Sequence, residues 1–372
     1  MVRGVVKVEI KWDNASWTDE TARVKHISIR RGRDSELDAV MAGACTLTLV
    51  DTDGRYNPLN SASALYGYTN KVRPVRITEL YNAVTYNLYY GYTRRVVSNQ
   101  ARNVQQATIQ CLDFFAQLDK IKPTIASSST TTGAAIAAIL TAAGYSGTTD
   151  LDTGDSITFS SDGTVTALQL IANLLTTERG MFYIAGNGYP TYEDRYALNR
   201  SPRTSVQSTI TGTMRGIAPG WDVESVRNRV TVTRTGGTAQ TASDSTSITD
   251  YGTRDYDAIS SGYLSTDNVA ASLASYLVKR RKDGIAPIRT LELTNKADAP
   301  YTALLARDLL DRVSVTETLG GTSFDGHIQS ISREIDAPSA THFGRWGILQ
   351  RDTKQPFLIG SSGIGGPDVI TY

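Results

Sequence analysis

Cysteine and histidine are scarce in this chain, with only 2 and 3 of them among 372 residues. So few cysteines cannot build a disulfide framework, and His26, His327 and His342 show no HxH or HExxH spacing for zinc. Cys45 and Cys111 fall in predicted strands of the first domain, "ACTLTLV" and "TIQCLDF", which leaves room for them to be neighbours, and both are expected to be buried and reduced. A surplus of either charge is also missing. With 38 basic against 37 acidic residues the net charge is +1, without the clustered basic excess that duplex-DNA binding requires. The densest basic run, Lys279-Arg280-Arg281-Lys282, is expected to be a solvated cap at a helix C-terminus. No apolar run approaches ~18 residues, so no membrane span is expected. The opening "MVRGVVKVEIKWD" has no signal-like apolar core, and signal-directed export is not expected either.

Catalytic and ligand motifs are absent as well. There is no GxSxG, P-loop or GxGxxG, and "GSSGIGG" lacks a strand-to-helix context and a lysine. Asp51-Thr52-Asp53-Gly54 fails as a calcium loop because Leu49 and Asn60 would fall where hard oxygen ligands belong. The cluster Asp150, Asp152 and Asp155 fails likewise, with Ser161 in the place of the bidentate acid. Both read as turns or polar loops. A cell-wall hydrolase needs paired carboxylates; Glu178, Glu193 and Asp194 are the nearest candidates, expected to be solvated at a helix end and hairpin. The expectation is a non-enzyme with no cofactor and no metal.

What the chain does hold is tyrosine, 19 against 7 phenylalanines, together with many threonines, serines and glycines, which leans toward β structure and broad polar contact surfaces. The length predicts two or three domains. Residues 1–120 read mostly as alternating strands. Residues 121–215 change to a small α/β unit: a helix in "TTGAAIAAILTAAGY" with Thr132 as N-cap and Gly144 as stop, another in "DGTVTALQLIANLLTTERG" ending at Gly180, then a hairpin turning at Gly186-Asn187-Gly188. Residues 216–352 return to strands around a helix at 267–283, capped by Asp267 and closed by Gly284. The polar loop 236–262 reads as mobile or ordered by a partner, and 353–372 as an extended arm.

The strand pattern repeats. "VRITE" at 75–79, "YYGYTRRVV" at 89–97 and "ATIQCLD" at 107–113 match "VSVTE" at 313–317, "FDGHIQSIS" at 324–332 and "WGILQRD" at 346–352. Val75 to Gly91 spans 16 positions and Val313 to Gly326 spans 13; Gly91 to Asp113 spans 22 and Gly326 to Asp352 spans 26. Each block is a meander of three strands whose middle member begins around a glycine. Duplication is the favoured reading; chance likeness between two meanders is the alternative, since β patterns are degenerate.

One stretch points to a family. In "DTDGRYNPLNSASALYGYTNKVRPVRITE", residues Asp53, Gly54, Arg55, Tyr56, Pro58, Asn60, Leu65, Tyr66 and Gly67, followed by Val72 to Ile77, resemble the N-terminal barrel of phage tail hub proteins, the minor tail proteins at the tube tip. The resemblance covers about 1–350, with its strongest parts at 45–113 and 267–335. It implies a mainly β chain with two related tail-tube-like β-barrel domains and a small α+β domain. It also implies a virion protein of the tail tip, assembled in the host cytoplasm. Three copies would make a pseudo-sixfold ring between a sixfold tube and a threefold tip. The partners so implied are itself as a homotrimer, the tail tube or distal tail protein, and a central fibre or spike. Tape-measure protein or DNA would pass through the lumen without sequence specificity. Arg55, Tyr56, Leu65, Tyr66, Tyr81, Tyr86, Tyr89, Tyr90 and Tyr92 are the interface candidates. For the tyrosines from Tyr81 to Tyr92, cross-strand aromatic packing is the competing reading, and alternation allows one role per face. A receptor- or carbohydrate-binding tail module, a tip-associated hydrolase, and an injection-system or gene-transfer-particle hub stay as alternatives.

Overall fold

Period-2 alternation of β-branched residues decides most of the chain. In Val24–Gly32, Ile27 and Ile29 are buried while His26 and Arg30 are exposed; in Met41–Val50, Cys45, Leu47 and Leu49 face the same core. The computed structural model describes residues 3–33, 41–101, 104–211, 216–217, 223–283, 289–317 and 322–350. The expected arm at 353–372, Gly284 and Asp352 lie outside the described residues.

The strands of both halves join one 13-stranded sheet. Its first unit lays Met41–Val50, Val104–Leu112, Val84–Ala101 and Pro74–Tyr81 side by side. Its second unit lays Arg289–Thr294, Thr341–Gln350, Thr322–Asp336 and Arg312–Glu317 in the same order. Where the units meet, Val24–Gly32 pairs antiparallel with residues 330–336, Ile27 opposite Ile335. One apolar core runs through both, from Ile27, Leu47 and Ile109 to Ile331, Trp346 and Ile348. Mainly β structure is as expected. Among the described residues no closed barrel is found: the sheet ends at Gly216–Ile217 on one side and Thr18–Asp19 on the other.

Two smaller bodies have cores of their own. In the first, helices Thr132–Ala142 and Ala167–Glu178 bury Ile136, Ile139, Leu170, Ile171 and Leu174 against Phe159 and Phe182. The first helix starts one residue earlier than expected, with Thr131 Oγ1 accepting from the Ala134 N–H, and Gly144 ends it at φ +82°. The second closes on Arg179, in the left-handed region, rather than on Gly180. Gly180 serves another need: a Cβ there would sit 2.4 Å from the Glu193 carbonyl oxygen. The expected hairpin joins Met181–Ile184 to Pro190–Glu193.

The third body corrects four expectations. Helix Asp267–Arg281 does not pack on the second set of sheet strands. It buries Leu273 and Leu277 against Val230 and Val232 of a three-stranded sheet formed by Arg229–Arg234, Gln240–Ser243 and Ile259–Ser261. The loop expected to be mobile or ordered by a partner thus supplies two strands and the short helix Ser245–Tyr251 between them. Thr266, not Asp267, caps the long helix; Asp267 instead accepts from Arg234 Nε at 3.0 Å and the Thr238 N–H at 3.2 Å. Nor is the basic run a solvated cap: Arg281 is buried and Lys282 Nζ lies 2.9 Å from Asp244.

Candidate assembly interface

The two units agree residue by residue around one glycine. Val75 lies opposite Gly91, and Val313 lies opposite Gly326. Two residues further on, the pairing slips in both: between Thr93 and Arg95 in the first unit, and between Ile328 and Ser330 in the second. Each unit therefore carries a β-bulge at the same place, which bends the middle strand so that its two ends pair with different neighbours. The glycine has the same cause in each. A Cβ on Gly91 would come within 2.8 Å of the Leu112 carbonyl oxygen, and one on Gly326 within 2.5 Å of the Leu349 carbonyl oxygen. Those leucines are themselves equivalent, lying opposite Tyr92 and His327.

Ion pairs and hydrogen bonds lock the joint between units. Buried Arg31 holds Asp308 at 2.8 Å and donates to the Ile184 carbonyl at 3.2 Å, tying both units to the helical body. Burial pushes the Asp308 carboxyl up, but the Arg31 guanidinium pulls it down further, so it stays ionised. On the outer face, Glu334 accepts from Ser28 Oγ and meets His26 Nε2, both at 2.8 Å. Inside, His342 Nδ1 is 3.0 Å from Glu79, which also takes the Tyr301 hydroxyl. Burial holds His342 below its ordinary pKa.

The structure divides the expected contact residues. Tyr56, Leu65, Tyr81 and Tyr89 are buried in the core of this chain. Tyr56 donates to Glu20 Oε2 at 2.6 Å, where Trp12 Nε1 and Arg55 Nη2 also meet the same buried carboxylate, each at 2.8 Å. Arg55 is therefore partly buried and already paired. Tyr89 donates to the Gly43 carbonyl at 3.1 Å, and Tyr81 to Asp298. Tyr86, Tyr90 and Tyr92 are half-buried. Tyr90 packs edge-on to Trp17 at 6.2 Å and to Tyr92 at 6.0 Å, while Tyr92 reaches Phe114 of the helical core. A bulge between Ile77 and Thr78 breaks the alternation that would have sorted these tyrosines onto two faces.

Only Tyr66 of the set stands clear, at 55% exposure. Its loop is a chain of three-residue turns, each N–H reaching back to a carbonyl: Gly54 to Asp51, Asn57 to Gly54, Asn60 to Asn57, Ser63 to Asn60 and Tyr66 to Ser63. Tyr56 and Leu65 nail this ribbon to the core. Between and beyond them it presents Leu59, Tyr66, Tyr68 and Val72 to solvent, an apolar edge that sequence reasoning found only in part.

Most of the acidic candidates are paired or buried. Asp51 accepts from Ser98 Oγ and Gln100 Nε2, and Asp53 pairs with Arg23. Asp152 and Asp155 pair with Arg200 and Arg195. Glu178 and Asp194 are buried rather than solvated, and Glu193 pairs with Arg203. Burial first, and the Asp155 charge next, push Glu178 up to about 7. Among the described residues no group of His, Cys, Asp or Glu is arranged to hold a metal ion, and no helix is long and apolar enough to cross a membrane.

No protein-family model and no curated protein matches the sequence. Solved structures do. The tail protein from Neisseria meningitidis MC58 superposes with a TM-score of 0.63 at 9% identity, covering 94% of this chain and 97% of that one. The 43 kDa tail protein of prophage MuSo2 from Shewanella oneidensis gives 0.60 at 15% identity, covering 93% and 97%. Prophage tail protein gp18 from Listeria monocytogenes EGD-e gives 0.54 at 10% identity, covering 94% and 95%. Over nearly its whole length, this chain has the fold of phage tail proteins.

Proposed function

We propose that the protein is a structural component of a phage virion, the hub of the tail tip, and that three copies form a ring. One observation carries this reading: a single chain holds two four-stranded units of matching register and matching bulge, side by side in one sheet. Three such chains present six like modules to a sixfold tube and remain threefold toward a fibre or spike. Cyclic closure also covers strand edges that an isolated copy leaves open. The exposed loop edge at Leu59, Tyr66, Tyr68 and Val72 is the contact surface we assign to a neighbouring tail component. The lumen passes DNA or tape-measure protein by width rather than by recognition. On this reading 1–120 and 216–352 supply the two modules, and 121–215 is the small α/β domain beside them.

Light scattering of the purified protein, followed by negative-stain averages, tests this. A species of roughly three times 40.3 kDa with six peripheral lobes is expected. A stable dimer, or a ring without paired lobes, would sink the reading.

A further inference from the structure

The internal joint has a second, unfilled counterpart. In the second unit, residues 330–336 pair with Thr341–Gln350 along one edge and with Val24–Gly32 along the other. Register through Gly91 and Gly326 makes Arg95–Ala101 the equivalent stretch of the first unit. That stretch pairs with Val104–Leu112 along one edge. Among the described residues no strand lies along its other edge. From Val96 to Ala101 it carries neither proline nor charge, the usual devices that blunt an open edge, and Val97 is 42% exposed.

The missing partner also has a counterpart. Val24–Gly32 flanks the first unit with Ile27 opposite Leu47, which lies opposite Ile109. Gly216–Ile217 flanks the second with Ile217 opposite Leu291, which lies opposite Trp346. Ile109 and Trp346 hold equivalent places, opposite Val96 and Ile331. Gly216–Ile217 is therefore the equivalent of His26–Ile27, and among the described residues its outer edge is open too. The two open edges are the two halves of the joint that the chain makes internally.

We infer that the Arg95–Ala101 edge of one copy receives the Gly216–Ile217 strand of the next, antiparallel, with Gln100 opposite Ile217 and Ala101 opposite Gly216. The register follows from Ile335 opposite Ile27 and Asp336 opposite His26. In the sheet order the two strands stand seven places apart, so one chain does not join them to each other. The contact is head-to-tail, and it generates a closed ring or an open filament according to the rotation per copy. The inference rests on the assembly of copies proposed above and adds the residues through which they join.

The test is the double variant Gln100→Cys/Ile217→Cys under mild oxidation. Native Cys45 and Cys111 stay silent because burial raises both thiols, Cys111 to about 12. Covalent multimers are expected on a non-reducing gel, with a linked peptide pair spanning 100 and 217, and neither single variant should give them. Light scattering is run on the same samples. Assembled material without that linkage overturns the joint and leaves the ring standing; a persistent monomer without linkage overturns both. A linkage within one chain overturns the joint as well. Val97→Lys supplies an independent arm. It should weaken self-association at least tenfold while the monomer keeps its circular dichroism and melting temperature, and unchanged association would count against the proposal.

Discussion

In the first unit Cys45 and Cys111 face each other across the strands, and in the second the same register position is filled by Arg289 and Ile348. Thr48 opposite Thr108 becomes Glu292 opposite Arg345, and Ile109 becomes Trp346. Around a glycine and a bulge that coincide, many of the paired residues have changed. Backbone geometry is what the two units share, because only the bend at the bulge lets one strand serve two neighbours. The side chains answer to local packing, which differs on the two sides of the joint.

The largest effect should come from core truncation at matched positions. Trp346→Ala is expected to cost about 3–5 kcal/mol and Ile109→Ala about 2–5 kcal/mol by urea denaturation, since both are fully buried. A much smaller loss at either site would mean that the two units do not share one core. Next come the glycines. Gly326→Ala would meet both Ile348 Cγ2 and the Leu349 carbonyl oxygen at 2.5 Å, whereas Gly91→Ala meets the Tyr89 hydroxyl at 2.4 Å and backbone at 2.8 Å. Overpacking of this kind costs about 1–3 kcal/mol, with Gly326 expected to be the worse because its obstacles yield less. Equal, negligible losses would show that the bulge tolerates a side chain.

Acidity should separate the units further. Asp113, whose register equivalent is Gln350, is raised from 3.8 to about 7, by burial first, against bonds from the Gly43 and Phe115 N–H groups. The folded chain keeps a proton there that the unfolded chain releases between roughly pH 4 and 7, so this group's contribution falls as pH rises through that window. Asp113→Asn should flatten the measured stability–pH slope over that range, and an unchanged slope would place the titration elsewhere. The smallest effect is expected from the double exchange Glu292→Thr/Arg345→Thr, which copies the first unit's pair. Their ion pair is 2.6 Å long but Arg345 is about half exposed, so a change under about 1 kcal/mol in thermal unfolding is expected.

Much of this was legible in the sequence. The meander repeat with its two glycines, the burial of both cysteines and the 186–188 turn all rest on local alternation and turn chemistry. The last repeated strand was misaligned by two: Asp352 was matched to Asp113, whereas pairing makes Gln350 its equivalent, because a terminal aspartate marks a strand's end and not its register. The merger of both halves was illegible. Pairing of Ile27 with Ile335 spans nearly the whole chain, and an open strand edge leaves no local trace of which partner it takes. The burial of Tyr56 and Tyr89 was illegible for a similar reason, since nothing local in the sequence brings Glu20 and the Gly43 carbonyl beside their hydroxyls.

The joint between Val24–Gly32 and residues 330–336 also has a kinetic meaning. Because one polypeptide supplies both sides, that contact forms at the effective concentration set by a tether, a first-order step that dilution cannot undo. A contact between separate copies is second-order and waits on their abundance. In the ring proposed above every other seam would thus be completed by folding, and only the remainder would be left to encounter, which halves the collisions needed and fixes the ratio of the two modules at one to one.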